Sequence, residues 1–212
     1  MSSDSALHVD VISDLVCPYC LLACRRLDLV RERLGGEREL DIELHPFLLD
    51  PGQPPEGTDL REHLRRKFGD PEPLFRRLET VARSEGIELD FERVSRFVST
   101  VRAHTLLTAA RKKGTQWELG RALFGAYFAE GRDISDLEVL AGLASNHGFT
   151  RDEALAILHD RDELAATILA ARRASQRGIR GVPFIVVGGE FTISGAQPTE
   201  VLERALRGGS AQ

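Results

Sequence analysis

Residues 7 to 12, LHVDVI, set Leu7, Val9 and Val11 against His8 and Asp10 and then add Ile12. That is the alternation of a strand with one face more apolar than the other. Residues 40 to 45, LDIELH, alternate strictly. Between the two, Leu21, Cys24, Leu27 or Leu29, and Leu34 fall near helical spacing, and Gly35-Gly36 supplies a stop, so residues 17 to 34 are predicted as a helix. A strand, helix, strand unit with a crossover of this length pairs its strands in parallel, with a right-handed connection.

The stretch DPGQPPEG, 50 to 57, is too rich in proline and glycine for either regular element and reads as a loop. From about 59 to 176 the pattern is helical throughout. Ser135 with Glu138, and Thr150 with Glu153, have capping-box spacing, and Gly69, Gly86, Gly114, Gly131 and Gly148 fall where helices would stop. Two apolar stripes, Phe91/Val94/Phe97/Val98/Val101 and Leu119/Leu123/Phe124/Tyr127/Phe128, read as helix faces packed in a helical core. Strand character returns in PFIVVGGEFTIS: Phe184 to Val187, then Gly188-Gly189, then Phe191 and Ile193, a hairpin with a glycine turn. Pro198 suits the first turn of a last helix carrying Val201, Leu202, Ala205 and Leu206 and ending at Gly208-Gly209. The expected architecture is one α/β domain, residues 1–52 and 178–212, interrupted by an all-helical domain, 53–177.

Composition removes several function classes. The 212 residues carry 28 Lys plus Arg against 33 Asp plus Glu, a net charge of -5, which offers no basic surface for nucleic acid or anionic lipid. The start, MSSDSALHVD, lacks a basic stretch followed by an apolar run, and no apolar run approaches a membrane span, so a cytoplasmic protein is expected. With three cysteines a structural disulfide framework is implausible, and any disulfide should be transient.

The chemistry then concentrates in CPYC, residues 17 to 20. A thiol is a nucleophile only as thiolate, and a helix start supplies unpaired amides and partial positive charge that stabilise one. Cys17 occupies that start, while Cys20, one turn further in, suits a resolving thiol that attacks a mixed disulfide from within. Helix positions three or four apart hold their Cβ atoms about 5–6 Å from each other, wider than the roughly 3.5–4.5 Å of a disulfide. A Cys17–Cys20 bond therefore needs a partner at the adjustable helix edge, and Pro18 breaks no helix bond there. Cys24 lies near the same face but between interior positions; it reads as a buried small hydrophobe, with a role as alternate resolving thiol or redox sensor as the second option. A zinc site would need four ligands, and His45, His63, His104, His147 and His159 are scattered, so no metal is expected.

These residues resemble the DsbA-like thioredoxin-fold oxidoreductases, specifically the cytosolic FrnE-like branch related to 2-hydroxychromene-2-carboxylate isomerases. The likeness spans nearly the whole chain and is carried by DVISDLVCPYC, STVRAHTLLTAARKKG, LFGAYFAEGRDISDLEVLAGLASNHG and GIRGVPFIVVGGEFTISGAQ. It implies a thioredoxin-like fold with a helical insertion. It also implies a cis-proline at Pro183 facing Cys17, with the backbone of Val182 available to an extended substrate. Pro18 and Tyr19 would join Val182 in contacting substrate. Relatives commonly carry asparagine where Ser99 stands, shortly before His104, and His104 is read as a hydrogen-bonded core histidine. Asp14, three residues before Cys17, is a candidate proton acceptor for Cys20, or equally a helix-entry carboxylate.

The function implied is thiol-disulfide exchange or isomerisation on protein cysteines, cycling a Cys17–Cys20 disulfide without a bound cofactor and with glutathione as a candidate co-substrate. The alternatives are glutathione-dependent isomerisation of a small aromatic or polyketide-like molecule, and a chaperone-like holdase.

Overall fold

The computed structural model of the chain describes residues 6–208. The first strand, β1 (Leu7–Ser13), leads through a short turn into α1 (Pro18–Leu34) and back to β2 (Leu40–Pro46). β1 and β2 pair in parallel, with Val9 opposite Ile42 and Val11 opposite Leu44. Pro18 opens α1, and Gly35, at φ 54°, closes it by donating its amide to the Arg31 carbonyl. That left-handed position costs glycine little and any other residue more.

The chain then leaves the sheet. β3 (Thr58–Asp59), α2 (Leu60–Phe68), α3 (Glu72–Ser84), β4 (Arg96–Phe97), α4 (Val101–Lys113), α5 (Gln116–Phe128), α6 (Leu137–Ser145), α7 (Arg151–His159) and α8 (Arg161–Gln176) follow. It returns as β5 (Phe184–Val187), β6 (Phe191–Ser194) and α9 (Thr199–Leu206). β5 runs antiparallel to β1, and β6 antiparallel to β5, giving the order β2-β1-β5-β6. The turn between β5 and β6 places Gly188 and Gly189 at positive φ, as a hairpin of right-handed strands requires. The first and last segments of the chain thus build one sheet around β1.

Two expectations are corrected. Phe91, Val94, Phe97 and Val98 are buried, but they do not lie on a helix. The Asp90 carboxylate accepts the Glu92 amide at 2.9 Å, turning the chain, and Phe97 then pairs with Thr58 in the small β3/β4 ladder. Apolar spacing of three and four arises there from turns alternating with a short strand. Likewise α6 is capped by Asp136, whose carboxylate accepts the Glu138 and Val139 amides, while the Ser135 hydroxyl donates to Asp133. Aspartate competes as well as serine for a cap and stands one residue nearer. The Thr150/Glu153 capping box is present in full.

One cluster of buried apolar side chains runs from the sheet into the helices. Polar bonds reinforce it. The side chain of Gln116 accepts the Leu44 amide at 2.9 Å and donates to the Leu44 carbonyl at 3.0 Å, completing part of the unpaired edge of β2. Asp28 on α1 accepts the Trp117 indole N–H at 2.8 Å. Arg26 donates both to Glu85, just after α3, and to the carbonyls of Ala196 and Gln197. Each of these bonds ties α1 or β2 to a part of the chain far away in sequence.

Candidate active site

β1 ends at Ser13, and residues 14 to 16 turn the chain so that Cys17 becomes the N-cap of α1, in extended conformation with φ -96° and ψ 112°. The Cys17 amide donates to the Asp14 carbonyl at 3.0 Å. The Cys17 carbonyl accepts from Cys20 at 3.0 Å and from Leu21 at 3.3 Å, which fixes the first turn. Pro18 at the first helical position has no amide to lose, so the start of the helix forms without a broken bond.

Opposite this turn the Val182–Pro183 peptide bond is cis. The Pro183 carbonyl accepts the Gly195 amide at 2.8 Å, securing the loop to the end of β6. The Cys17 thiol donates to the Val182 carbonyl with Sγ 3.6 Å from the oxygen. Two stretches 165 residues apart therefore meet at one sulfur.

Cys17 is less open than a nucleophile at a helix start is expected to be: 5% of its surface is accessible. Its setting explains this. Cys17 lines an apolar cavity of about 160 Å³ between the start of α1 and the α2, α3 and α5 helices. Tyr19 and Leu49, each 39% exposed, line the same space. Pro18 and Val182 are half-buried and Pro183 is buried.

Cys20 is fully buried, and burial, with the neighbouring Cys17 adding to it, pushes its thiol well above the ordinary range. An opposing pull comes from the Asp14 backbone. Cys24 is also buried, its thiol pushed up by desolvation and then by the Asp28 charge. All three cysteines are free thiols. The reading of Cys24 as a small buried hydrophobe fits this environment.

Asp14 is 1% exposed and fully engaged. Its Oδ1 accepts the Thr100 hydroxyl at 2.8 Å, and its Oδ2 accepts the Leu49 amide at 2.8 Å. His104 is a core residue, as expected, but its Nε2 makes no hydrogen bond; it lies 3.5 Å from Asp14 Oδ1. Thr100 escaped the sequence reading. It stands at the N-cap of α4, where a threonine ordinarily satisfies its own helix, yet its hydroxyl goes to Asp14. Only the fold brings the two together. Among the described residues no group of three His, Cys, Asp or Glu side chains is arranged to hold a metal. No helix among them is long and apolar enough to cross a membrane.

Known proteins share this fold to differing degrees. A probable DsbA oxidoreductase from Streptomyces coelicolor superposes with a TM-score of 0.85 at 29% identity, over 95% of this chain and 89% of that one. The cytosolic disulfide reductase DsbM from Pseudomonas aeruginosa, in a structure with GSH, gives 0.69 at 21% identity, over 95% and 100%. A 2-hydroxychromene-2-carboxylate isomerase gives 0.72 at 19% identity, over 94% of each chain. The uncharacterized protein YwbO of Bacillus subtilis is 25% identical across 94% of this chain and 96% of its own length. The DSBA-like thioredoxin domain matches residues 8–207, almost everything from the first strand to the last helix. With the sheet order, the cysteine at the start of α1 and the loop facing it already described, this match over nearly the full length places the chain in the DsbA-like thioredoxin-domain family of oxidoreductases.

Proposed function

We propose that the protein is a cytoplasmic thiol-disulfide oxidoreductase acting on protein cysteines, with Cys17 as nucleophile and Cys20 as resolving thiol. The observation that carries this is the meeting of Cys17, at the start of α1, with the Val182 carbonyl 3.6 Å away. An incoming client sulfur has one place to go, beside the amides of a helix start, where negative charge is stabilised.

In the reducing direction the Cys17 thiolate attacks one sulfur of a client disulfide. The client S–S bond breaks, one client thiolate leaves and takes up a proton, and a mixed disulfide joins Cys17 to the client. Cys20 then loses its proton and attacks Cys17 Sγ, releasing the second client thiol. The Cys17–Cys20 disulfide that remains carries the two electrons' worth of oxidation taken from the client. A low-molecular-weight thiol of the glutathione type would restore the dithiol at the cost of its own oxidation. The structure of the disulfide reductase that shares the fold is one with GSH. Run backwards, the same steps oxidise a client.

Deprotonating Cys20 is the demanding step, since burial holds the proton on it. Once a client occupies Cys17, the resolving attack depends on that proton finding an acceptor. Pro18, Tyr19, exposed between the cysteines, and the backbone of Val182 would contact the substrate.

Insulin reduction and refolding of scrambled ribonuclease, compared between wild type and Cys17→Ser, test the proposal. Wild type should turn over both, and Cys17→Ser should fall to the uncatalysed rate. Full activity without Cys17 sulfur would refute it.

A further inference from the structure

The chain has a net charge of -5, but one stretch of it is basic. Residues 164–189 contain no Asp, Glu, Lys or His, and their four charged side chains are all arginines: Arg172, Arg173, Arg177 and Arg180. Arg172 and Arg173 lie towards the end of α8 and Arg177 is its C-cap. Arg180 stands in the loop that leads to the cis Val182–Pro183 bond. All four are exposed. Among the described residues none of the four guanidinium groups is held by a carboxylate or a carbonyl, whereas Arg26, Arg111 and Arg151 each have a carboxylate partner. A cation in the last turn of a helix offsets its partial negative charge, which accounts for Arg173. It does not account for Arg180, beyond the helix and two residues before Val182, whose carbonyl lies 3.6 Å from Cys17 Sγ. Consecutive residues advance at most about 3.6 Å, so the Arg180 Cα lies within roughly 7 Å of the Val182 Cα, and that of Arg177 within roughly 18 Å.

We infer that this arginine strip is a docking surface for acidic segments of protein clients. At about 3.3 Å per extended residue, it meets Asp or Glu side chains roughly two to five positions from the client's reacting cysteine. The inference rests on Cys17 being the nucleophile proposed above and names the class of client it serves. The guanidinium fork matches a carboxylate with two parallel hydrogen bonds. On a molecule whose net charge repels acidic partners, a basic strip beside the nucleophile sets the side from which they approach. A peptide is favoured over nucleic acid because residues 164–183 hold no aromatic ring on which a base could stack.

The test uses peptides dimerised through one disulfide, identical except that Glu, Gln or Lys occupies the second and fourth positions on each side of the cysteine, with dithiothreitol regenerating the protein dithiol. Each rate is divided by that of the peptide's direct reduction by dithiothreitol, which removes the effect of the charges on the disulfide itself. At low ionic strength the Glu peptide should then show a kcat/KM roughly tenfold above the Lys peptide, the low end of electrostatic steering, with the Gln peptide between them. At about 1 M salt, where charges are screened beyond about 3 Å, the two should converge. Arg177→Gln with Arg180→Gln should bring the ratio close to one, and Arg177→Glu with Arg180→Glu should invert it, while the Gln peptide keeps its wild-type rate throughout. The salt series on the wild-type protein reads the same interaction if circular dichroism shows that a variant is unfolded. Equal rates for the Glu and Lys peptides, with turnover still dependent on Cys17, would overturn the docking surface and leave the oxidoreductase intact. A preference that survives in the folded Gln variant would overturn its location. Inhibition of Glu-peptide turnover by an oligonucleotide, at concentrations where polyglutamate of equal charge has no effect, would assign the strip to nucleic acid and overturn the choice of a client. Slower reduction of glutathione disulfide in the variants, without any peptide preference, would assign the arginines to a small thiol and overturn it likewise. Absence of Cys17-dependent turnover with every peptide would instead remove the oxidoreductase itself.

Discussion

At the scale of residues, three cysteines on one helix have three different fates, and the difference is burial and contact. Cys17, 5% exposed, has a partner at Val182; Cys20 is sealed and Cys24 is 3% exposed, and burial pushes both of their thiols up. Iodoacetamide applied to the native, reduced protein near neutral pH should therefore place a single carbamidomethyl group, on Cys17, as read by peptide mass spectrometry. Labelling of Cys24 at a comparable rate would show that the thiols are not ordered in this way. The spacing of the motif made the division between Cys17 and Cys20 legible, because a helix start and a position one turn inside it differ in any protein. The partners of Asp14 were not legible. Its carboxylate holds Thr100 and Leu49 and lies beside His104, contacts spanning up to 90 residues that no local pattern encodes. Asp14→Ala leaves the buried Thr100 hydroxyl and the part-buried Leu49 amide without their acceptor, and should lower unfolding free energy by roughly 2 kcal/mol. Denaturant titration measures it, and a change below about 0.5 kcal/mol would mean that these bonds do not hold the turn.

At the scale of elements, periodicity served best where the chain follows one rule for many residues. α1, the β1/β2 pair, the final hairpin and the α5 stripe emerge where alternation or helical spacing places them. It misled between 87 and 100, where turns and a two-residue strand reproduce helical spacing by coincidence. Glycines marked ends well because several occupy positive φ. Gly131 is the sharpest case: at φ 67° it also lies against the Arg93 carbonyl, where a Cβ has no room. Gly131→Ala should cost more than about 1 kcal/mol, whereas Gly125→Ala, within α5 and facing open space, should be neutral or stabilising. Thermal melts that rank the two variants the other way would contradict this.

The β1/β2 pair also carries a pH signature. Hydrogen bonding to Asp41, aided by the Asp10 charge, raises the His8 imidazole; Arg111, then His8, hold the Asp41 carboxyl below its ordinary range. The His8 contribution is present in full below about pH 6.5 and is lost as pH rises through the raised folded value. The Asp41 contribution runs the other way, present above the ordinary carboxylate range and lost as pH falls through the lowered value. Both side chains are partly exposed, so the effect is a few tenths of a kcal/mol. His8→Gln should flatten the stability difference between pH 5.5 and 8, and a slope equal to wild type would exclude the pair as its source.

At the scale of the whole molecule, the sheet is completed by segments from the two ends of the chain, and the helices between them form an apolar cavity against Cys17, Pro18 and Tyr19. The return of strand patterning after residue 180 made that closure legible. The cavity was not, since its walls come from α2, α3, α5 and the segment between β4 and α3, each unremarkable when read alone. The dithiol motif is written in four residues, and the cavity beside it in the packing of distant ones.

The central claim is that Cys17 alone takes the client sulfur and Cys20 alone releases it. Cys20→Ser protein incubated with a disulfide-bonded peptide should accumulate a one-to-one covalent adduct, mapped by mass spectrometry to Cys17, and should release the peptide when a thiol reductant is added. An adduct at Cys24, or no adduct while the wild-type protein turns the same peptide over, would contradict the account.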